Sequence, residues 1–183
     1  MSTRYTQSFD FERLKQGKTK TKKRYSKSDS VKILEQLALD KLKLRYPNNP
    51  YLPKLVYSDA TSNALTKCVI DYIELKGHHA ERINSTGRQI DNRKTSIDVL
   101  GNQRTIGSVK WIKSSGKVGT ADISSTIKGR SVKIEIKCEA TGDNKQSKGQ
   151  IDYQKQIEAA GGIYLIVRNF NQFYEWLNDF VKS

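Results

Sequence analysis

GTADISSTIKGRSVKIEIK, residues 119–137, reads as two short β-strands joined at Lys128-Gly129-Arg130. The glycine supplies a turn conformation that other residues resist. Beyond the turn, Val132, Ile134, Ile136 and Cys138 alternate with Lys133, Glu135, Lys137 and Glu139. A period of two sends the apolar set into a core and the charged set onto an open face. A two-residue loop at Lys128-Gly129 pairs Ile127 with Arg130 and sets Asp122 opposite Glu135. Moving the loop to Gly129-Arg130 sets Asp122 opposite Lys137 instead. Directly opposed residues share a face, so either register gathers Asp122, Glu135 and Lys137. A three-residue loop without a bulge scatters them.

Two carboxylates and an ammonium gathered in this way suit phosphate chemistry. Asp122 and Glu135 offer hard oxygen ligands to Mg²⁺, an ion held by one or two carboxylates together with waters and substrate phosphate oxygens. Lys137 is placed to serve an attacking water and to offset charge developing on a phosphate. The same alternation also suits an antiparallel strand whose charged side simply faces solvent.

The residues Gly119-Thr120-Ala121-Asp122, followed by Ile134-Glu135-Ile136-Lys137, resemble the D…ExK core of the PD-(D/E)XK nucleases. The run 143–150, with Ser147 and Gln150, leads into Ala160-Gly161-Gly162 and the apolar stretch Ile163–Val167. This is similar to the VRR-NUC branch, a Holliday-junction-resolvase-like group found in phage and bacteria. Its members carry Ser-x-x-Gln before a helix, then a glycine-rich end and a buried strand. Arg82-x-Asn84-x-x-Gly87 resembles the first core strand of the same relatives. The resemblance spans about residues 60–180.

It implies a restriction-endonuclease-like α/β core, a small mixed central sheet flanked by helices in the order α-β-β-β-α-β-α. It also implies a DNA nuclease dependent on Mg²⁺ or Mn²⁺, with Asp122 and Glu135 on the metal, Lys137 serving the water and Gln150 lining the site. Many relatives add an acidic residue early on the helix before the sheet. Here Asn63 occupies that neighbourhood, with Asp71 and Glu74 further along.

Composition points the same way. Lys and Arg outnumber Asp and Glu by 33 to 19 over 183 residues, a net charge of +14. Such an excess favours a polyanionic partner, with nucleic acid ahead of an anionic membrane. No apolar run approaches the ~20 residues that span a bilayer. The N-terminus lacks an apolar signal core, and Cys68 and Cys138 fall at core positions with no partner motif. Together these suggest buried thiols in a reducing cytoplasm, bacterial or of a phage host.

Taken in order, the chain divides into a basic disordered arm (1–28), an accessory helix with a Pro-containing connector (29–58) and the nuclease domain (59–183). Residues 1–60 carry +8 of the charge, and the arm is expected to hold phosphates without sequence preference. Ser30 or Asp29 caps a helix reaching about Arg45. Its apolar face docks either on the core or on a second subunit, so a homodimer is one expectation. Asp59 or Thr61 opens a second helix with Leu65, Cys68, Val69, Tyr72 and Ile73 on one stripe. His78-His79 reads as loop.

The polar stretch 85–118 is too long for an ordinary loop, and such insertions are functional or disordered. Val109, Trp111 and Ile112 suggest a strand within it, with Trp111 either in the core or stacked on a base. Arg82, Arg88, Lys113, Lys117, Ser147 and Lys148 are the candidate nucleic-acid contacts. Ser147 caps a helix through Ala160, Ile163–Val167 is expected to be buried on both faces, and Asn169 caps a final amphipathic helix. A non-catalytic basic nucleic-acid-binding protein, or a nuclease fold without activity, is the alternative reading.

Overall fold

The computed structural model describes residues 25–84, 87–114, 116–142 and 144–183. Most of the basic arm therefore lies outside the described residues. Its last four belong to the folded body. Tyr25 donates to Asp59 at 2.8 Å and Lys27 pairs with Glu35.

The hairpin forms as the two-residue loop requires. Strands β6 (Ile123–Ile127) and β7 (Arg130–Ile136) pair antiparallel with Ile127 opposite Arg130 and Ile123 opposite Ile134. Lys128 and Gly129 both take positive φ, 50° and 75°. That is the combination of a type I′ turn, whose twist matches the flanking strands. Continuing the ladder by one residue sets Asp122 opposite Glu135.

Around this hairpin a four-stranded mixed sheet is built in the order β1-β6-β7-β8. Strand β1 (His79–Arg82) is antiparallel to β6, and β8 (Ile163–Val167) runs parallel to β7. His79 thus opens a strand rather than lying in a loop. Strand β8 is an edge strand, with Tyr164 and Val167 buried and its other residues half-exposed. Burial on both faces, expected from its apolar run, is met in part, with Tyr164 buried on one face and Val167 on the other.

Helices α2 (Ser62–Leu75) and α4 (Phe170–Lys182) cover one sheet face, and α1 (Asp29–Arg45) packs on both of them. Val31, Leu34, Leu65, Val69, Tyr72, Ile73, Ile134, Phe170, Phe173 and Leu177 form one contiguous core. Helix α1 thus packs on this body, and residues 29–58 share a core with 59–183. Tyr72 meets the Phe170 ring edge-on at 5.6 Å, and its buried hydroxyl donates to Asn178 at 2.9 Å. Thr61 and Asn169 cap their helices through side-chain oxygens, whereas Ser28, not Asp29 or Ser30, stands before α1 without a side-chain cap bond. The Cys68 and Cys138 thiols are buried and donate to the carbonyls of Ser58 and Asp59. Burial pushes the Cys68 thiol up to about 12.

Helix α3 (Lys148–Ala159) lies on the opposite face of the sheet. Between β1 and β6 the polar insertion folds as a long ribbon. Strand β2 (Arg88–Asp91) pairs with β5 (Val109–Ile112), and β3 (Lys94–Ile97) pairs with β4 (Gln103–Ile106). The observed order is therefore α-α-β, the ribbon, then β-β-α-β-α. Alternation in the ribbon is too weak in apolar residues for four strands to be read from sequence.

Candidate functional site

The charged face of β7 is covered, not solvated. Glu135 is 2% exposed and Lys137 5%. Helix α3 and Tyr164 of β8 cover Glu135 and Lys137, while Asp122, Lys133 and Gln150 stay half-exposed, a partial cover that strand alternation alone does not anticipate.

Four predicted catalytic residues converge there. The Asp122 Oδ2 accepts the Ile136 backbone N–H at 2.9 Å. A side-chain carboxylate thus takes a donor just past the last β6–β7 ladder pair, and this turns it toward Glu135. Lys137 Nζ lies 3.4 Å from Glu135 Oε1. Gln150 Nε2 donates to the same oxygen, and the Tyr164 hydroxyl lies 3.4 Å from Glu135 Oε2.

Gln150 has two tasks. The Ser147 hydroxyl accepts the Gln150 N–H at 3.3 Å, while Gln150 Oε1 accepts the Ser147 N–H at 2.8 Å, a complete capping box. The amide nitrogen is thereby aimed at Glu135. Gln150→Ala should cost about 1 kcal/mol of stability through the cap and about 10–100-fold in activity through loss of carboxylate orientation. Ser147→Ala should match the first loss with little of the second. Melting curves and cleavage rates on both variants separate the two roles.

The electrostatics follow from burial. Desolvation, and then the neighbouring Asp122 charge, raise the Glu135 carboxyl to about 7, and Lys137 opposes the rise. Tyr164 is pushed up as well, first by burial and then by Glu135. Once Glu135 ionises, two carboxylates share the Lys137 ammonium at this face.

Among the described residues, no group of three or more His, Cys, Asp and Glu is gathered to hold a metal. Two carboxylates on one face nevertheless fit Mg²⁺, which completes its shell with waters and phosphate oxygens. The donor set is all oxygen, as a hard cation requires.

The predicted nucleic-acid residues are scattered. Arg82, opposite Ile123 in the ladder, follows the alternation to the α2 side, where it donates to Asn63 at 2.7 Å. Asn63 thus holds a cation in the neighbourhood where relatives of the resembled family place a carboxylate. Arg88 and Lys113 are exposed on the ribbon and at its base. Lys117 donates to Gln156 of α3, tying that base to the helix. Ser147 is occupied as a cap, and Lys148 is exposed beside it. Trp111 is 62% exposed on β5, so its placement in the core is corrected.

Tyr164 was not among the sequence candidates. The signal was present, because a tyrosine inside an apolar strand must find a partner for its hydroxyl.

Comparison with known proteins gave no matching family model, no matching curated protein and no matching solved structure. Among the described residues, no helix is long and apolar enough to cross a membrane.

Proposed function

We propose that the chain is a metal-dependent nuclease that hydrolyses phosphodiester bonds in DNA, with a restriction-endonuclease-like core of the VRR-NUC kind. The observation that carries this reading is the convergence of half-exposed Asp122 and Gln150 on buried Glu135 and Lys137 at one sheet face. A binding protein gains nothing from two carboxylates beneath a helix, where they repel each other and any nucleic acid. A hydrolytic site needs them.

Asp122 and Glu135 would hold Mg²⁺ or Mn²⁺, which when bound offsets the charge of the scissile phosphate. Gln150 and Tyr164 fix the orientation of Glu135. Lys137 positions the attacking water by hydrogen bonding and stabilises charge on the phosphoryl oxygens. The water oxygen forms the new P–O bond and the bridging ester P–O bond breaks. The water's proton is balanced by the one gained at the leaving oxygen, giving a phosphate monoester and a hydroxyl. The basic surface carries the polyanion to this face.

No compact base-reading module is present among the described elements, so branches, flaps or ends are the preferred substrates, consistent with a place in repair or recombination. Labelled linear, flapped and four-way DNA, incubated with and without Mg²⁺, tests the reading. Cleavage is expected only with the metal, and faster on a branched or flapped form. DNA binding with no cleavage of any form would favour the non-catalytic alternative.

A further inference from the structure

We infer that the ribbon of residues 88–112 is an arm that grips duplex DNA, laying its cationic side chains on phosphates and inserting its apolar tip between base pairs. The inference rests on the nuclease reading only in taking DNA as the partner.

The two ladders of the ribbon keep one register, with Arg88 opposite Ile112 and Lys94 opposite Ile106. Two residues separate the ladders on each strand, Asn92 and Arg93 against Gly107 and Ser108, and Asn92 N–H donates to the Ser108 carbonyl at 3.2 Å. Within the first ladder Arg88 and Lys110 share a side with Ile112, and within the second Lys94 and Arg104 share a side with Ile106. A turn separates the two ladders, with the Arg93 N–H on Asp91 Oδ1 and Gly107 at φ 107°.

Among the described residues nothing covers the ribbon. All the residues of its strands are exposed except Ile90, which is half-buried. An isolated two-stranded ribbon is at best marginally stable in water, so this one calls for a partner. Charge selects which kind. Residues 87–117 hold seven cationic side chains and two acidic ones. Both acids are answered within the ribbon, Asp91 by Arg93 at 2.7 Å and Asp98 by Arg104 at 3.4 Å. Two such ribbons repel each other, whereas a polyanion attracts them. A two-stranded β-ribbon is also of a size that a DNA groove admits.

The tip adds a second property. Asp98 Oδ1 accepts the N–H groups of Leu100 and Asn102 at 3.0 and 2.8 Å, and Gly101 takes φ +82° to close the turn. This ordered turn holds Val99 and Leu100 in solvent, 103% and 82% exposed. Apolar wedges presented in this way unstack base steps when a basic arm seats in a groove. The base of the ribbon is fixed to the hydrolytic face. Lys117 bonds to α3, and a Cβ at Gly119 would lie 2.2 Å from the Gly149 carbonyl, so the loop sits directly on the start of α3. Asp122 follows three residues later, which brings DNA held by the arm to the acidic site.

The test uses the full chain in EDTA, with a duplex carrying 2-aminopurine, and two variants. Val99→Ser/Leu100→Ser should abolish the fluorescence rise that the wild type gives on binding, while keeping the salt dependence. Arg88→Ala/Lys94→Ala/Lys110→Ala should lower the slope of log affinity against log salt by about 2–3, because each lost phosphate contact removes ~0.9. An unchanged slope in the triple variant, or no fluorescence rise with the wild type, overturns the inference. So does a tip variant that turns a wild-type dimer into a monomer in sedimentation with DNA binding intact, since the tip would then be a self-association surface. Cleavage by the wild type in Mg²⁺ is scored separately. Both binding effects without cleavage would sustain the arm and remove the nuclease reading.

Discussion

Glu135→Gln should lower cleavage by about 10³-fold or more while the protein still folds and binds DNA. A bound divalent ion supplies several kcal/mol to a phosphoryl transition state, and each 1.36 kcal/mol is tenfold in rate. The amide keeps the shape of the side chain but offers Mg²⁺ a poorer, uncharged ligand. The same substitution has a signature that needs no substrate. Because burial and Asp122 raise Glu135 to about 7 in the folded protein, the folded state binds this proton more tightly than the unfolded chain does. Below the unfolded value near 4.5 the group costs nothing. As pH rises through 7 it costs stability, up to about 3 kcal/mol. In EDTA, wild-type stability should therefore fall between pH 5 and 7.5, while Glu135→Gln stays level across that window. Mg²⁺ should restore the wild type at pH 7.5 and leave the variant unmoved. Denaturant titrations at the two pH values, beside single-turnover cleavage, check both halves. Wild-type cleavage by Glu135→Gln would sink the assignment.

Lys137→Met should cost about 10²-fold or more in cleavage, the usual loss when a positioned proton-transfer or water-orienting group is removed. An exposed lysine would be worth about 0–1 kcal/mol and its loss would barely register. This one is 5% exposed and 3.4 Å from Glu135. On the proposed nuclease reading it would offset the repulsion of two carboxylates in the metal-free protein and orient the attacking water in the loaded one. Metal affinity should hold or rise, because a competing cation has gone. Calorimetry with Mg²⁺ on the samples used for kinetics separates the two effects. Activity within threefold of wild type would make Lys137 a structural charge.

The sheet face was legible because a two-residue β-turn leaves little freedom. Once Lys128-Gly129 closes the loop, the period of two decides that Asp122, Glu135 and Lys137 meet. The three main helices were legible from their apolar stripes, and Ser147, Thr61 and Asn169 from cap chemistry. The cover over the site was not. Whether β7's charged side faces water depends on where α3 lands, and that is set by non-local contacts such as Gln150 to Glu135 and Gly119 against Gly149. Tyr164 was hidden for the same reason, since its partner is set by the parallel pairing of β8 with β7. Of the ribbon only β5 was legible, from Val109, Trp111 and Ile112, because the other three strands carry a single isoleucine each among polar residues, which marks no buried side. Of the two readings for Trp111, core packing fails because the ribbon has no core to receive it.

The most direct test is Mn²⁺ binding followed by electron paramagnetic resonance, with Mn²⁺-driven cleavage measured on the same samples of wild type and Asp122→Asn. The site described here predicts that the wild type binds the ion and cuts DNA and that the variant loses both. Equal binding and equal cleavage by the two proteins, or a wild type that neither binds the ion nor cuts, would contradict it.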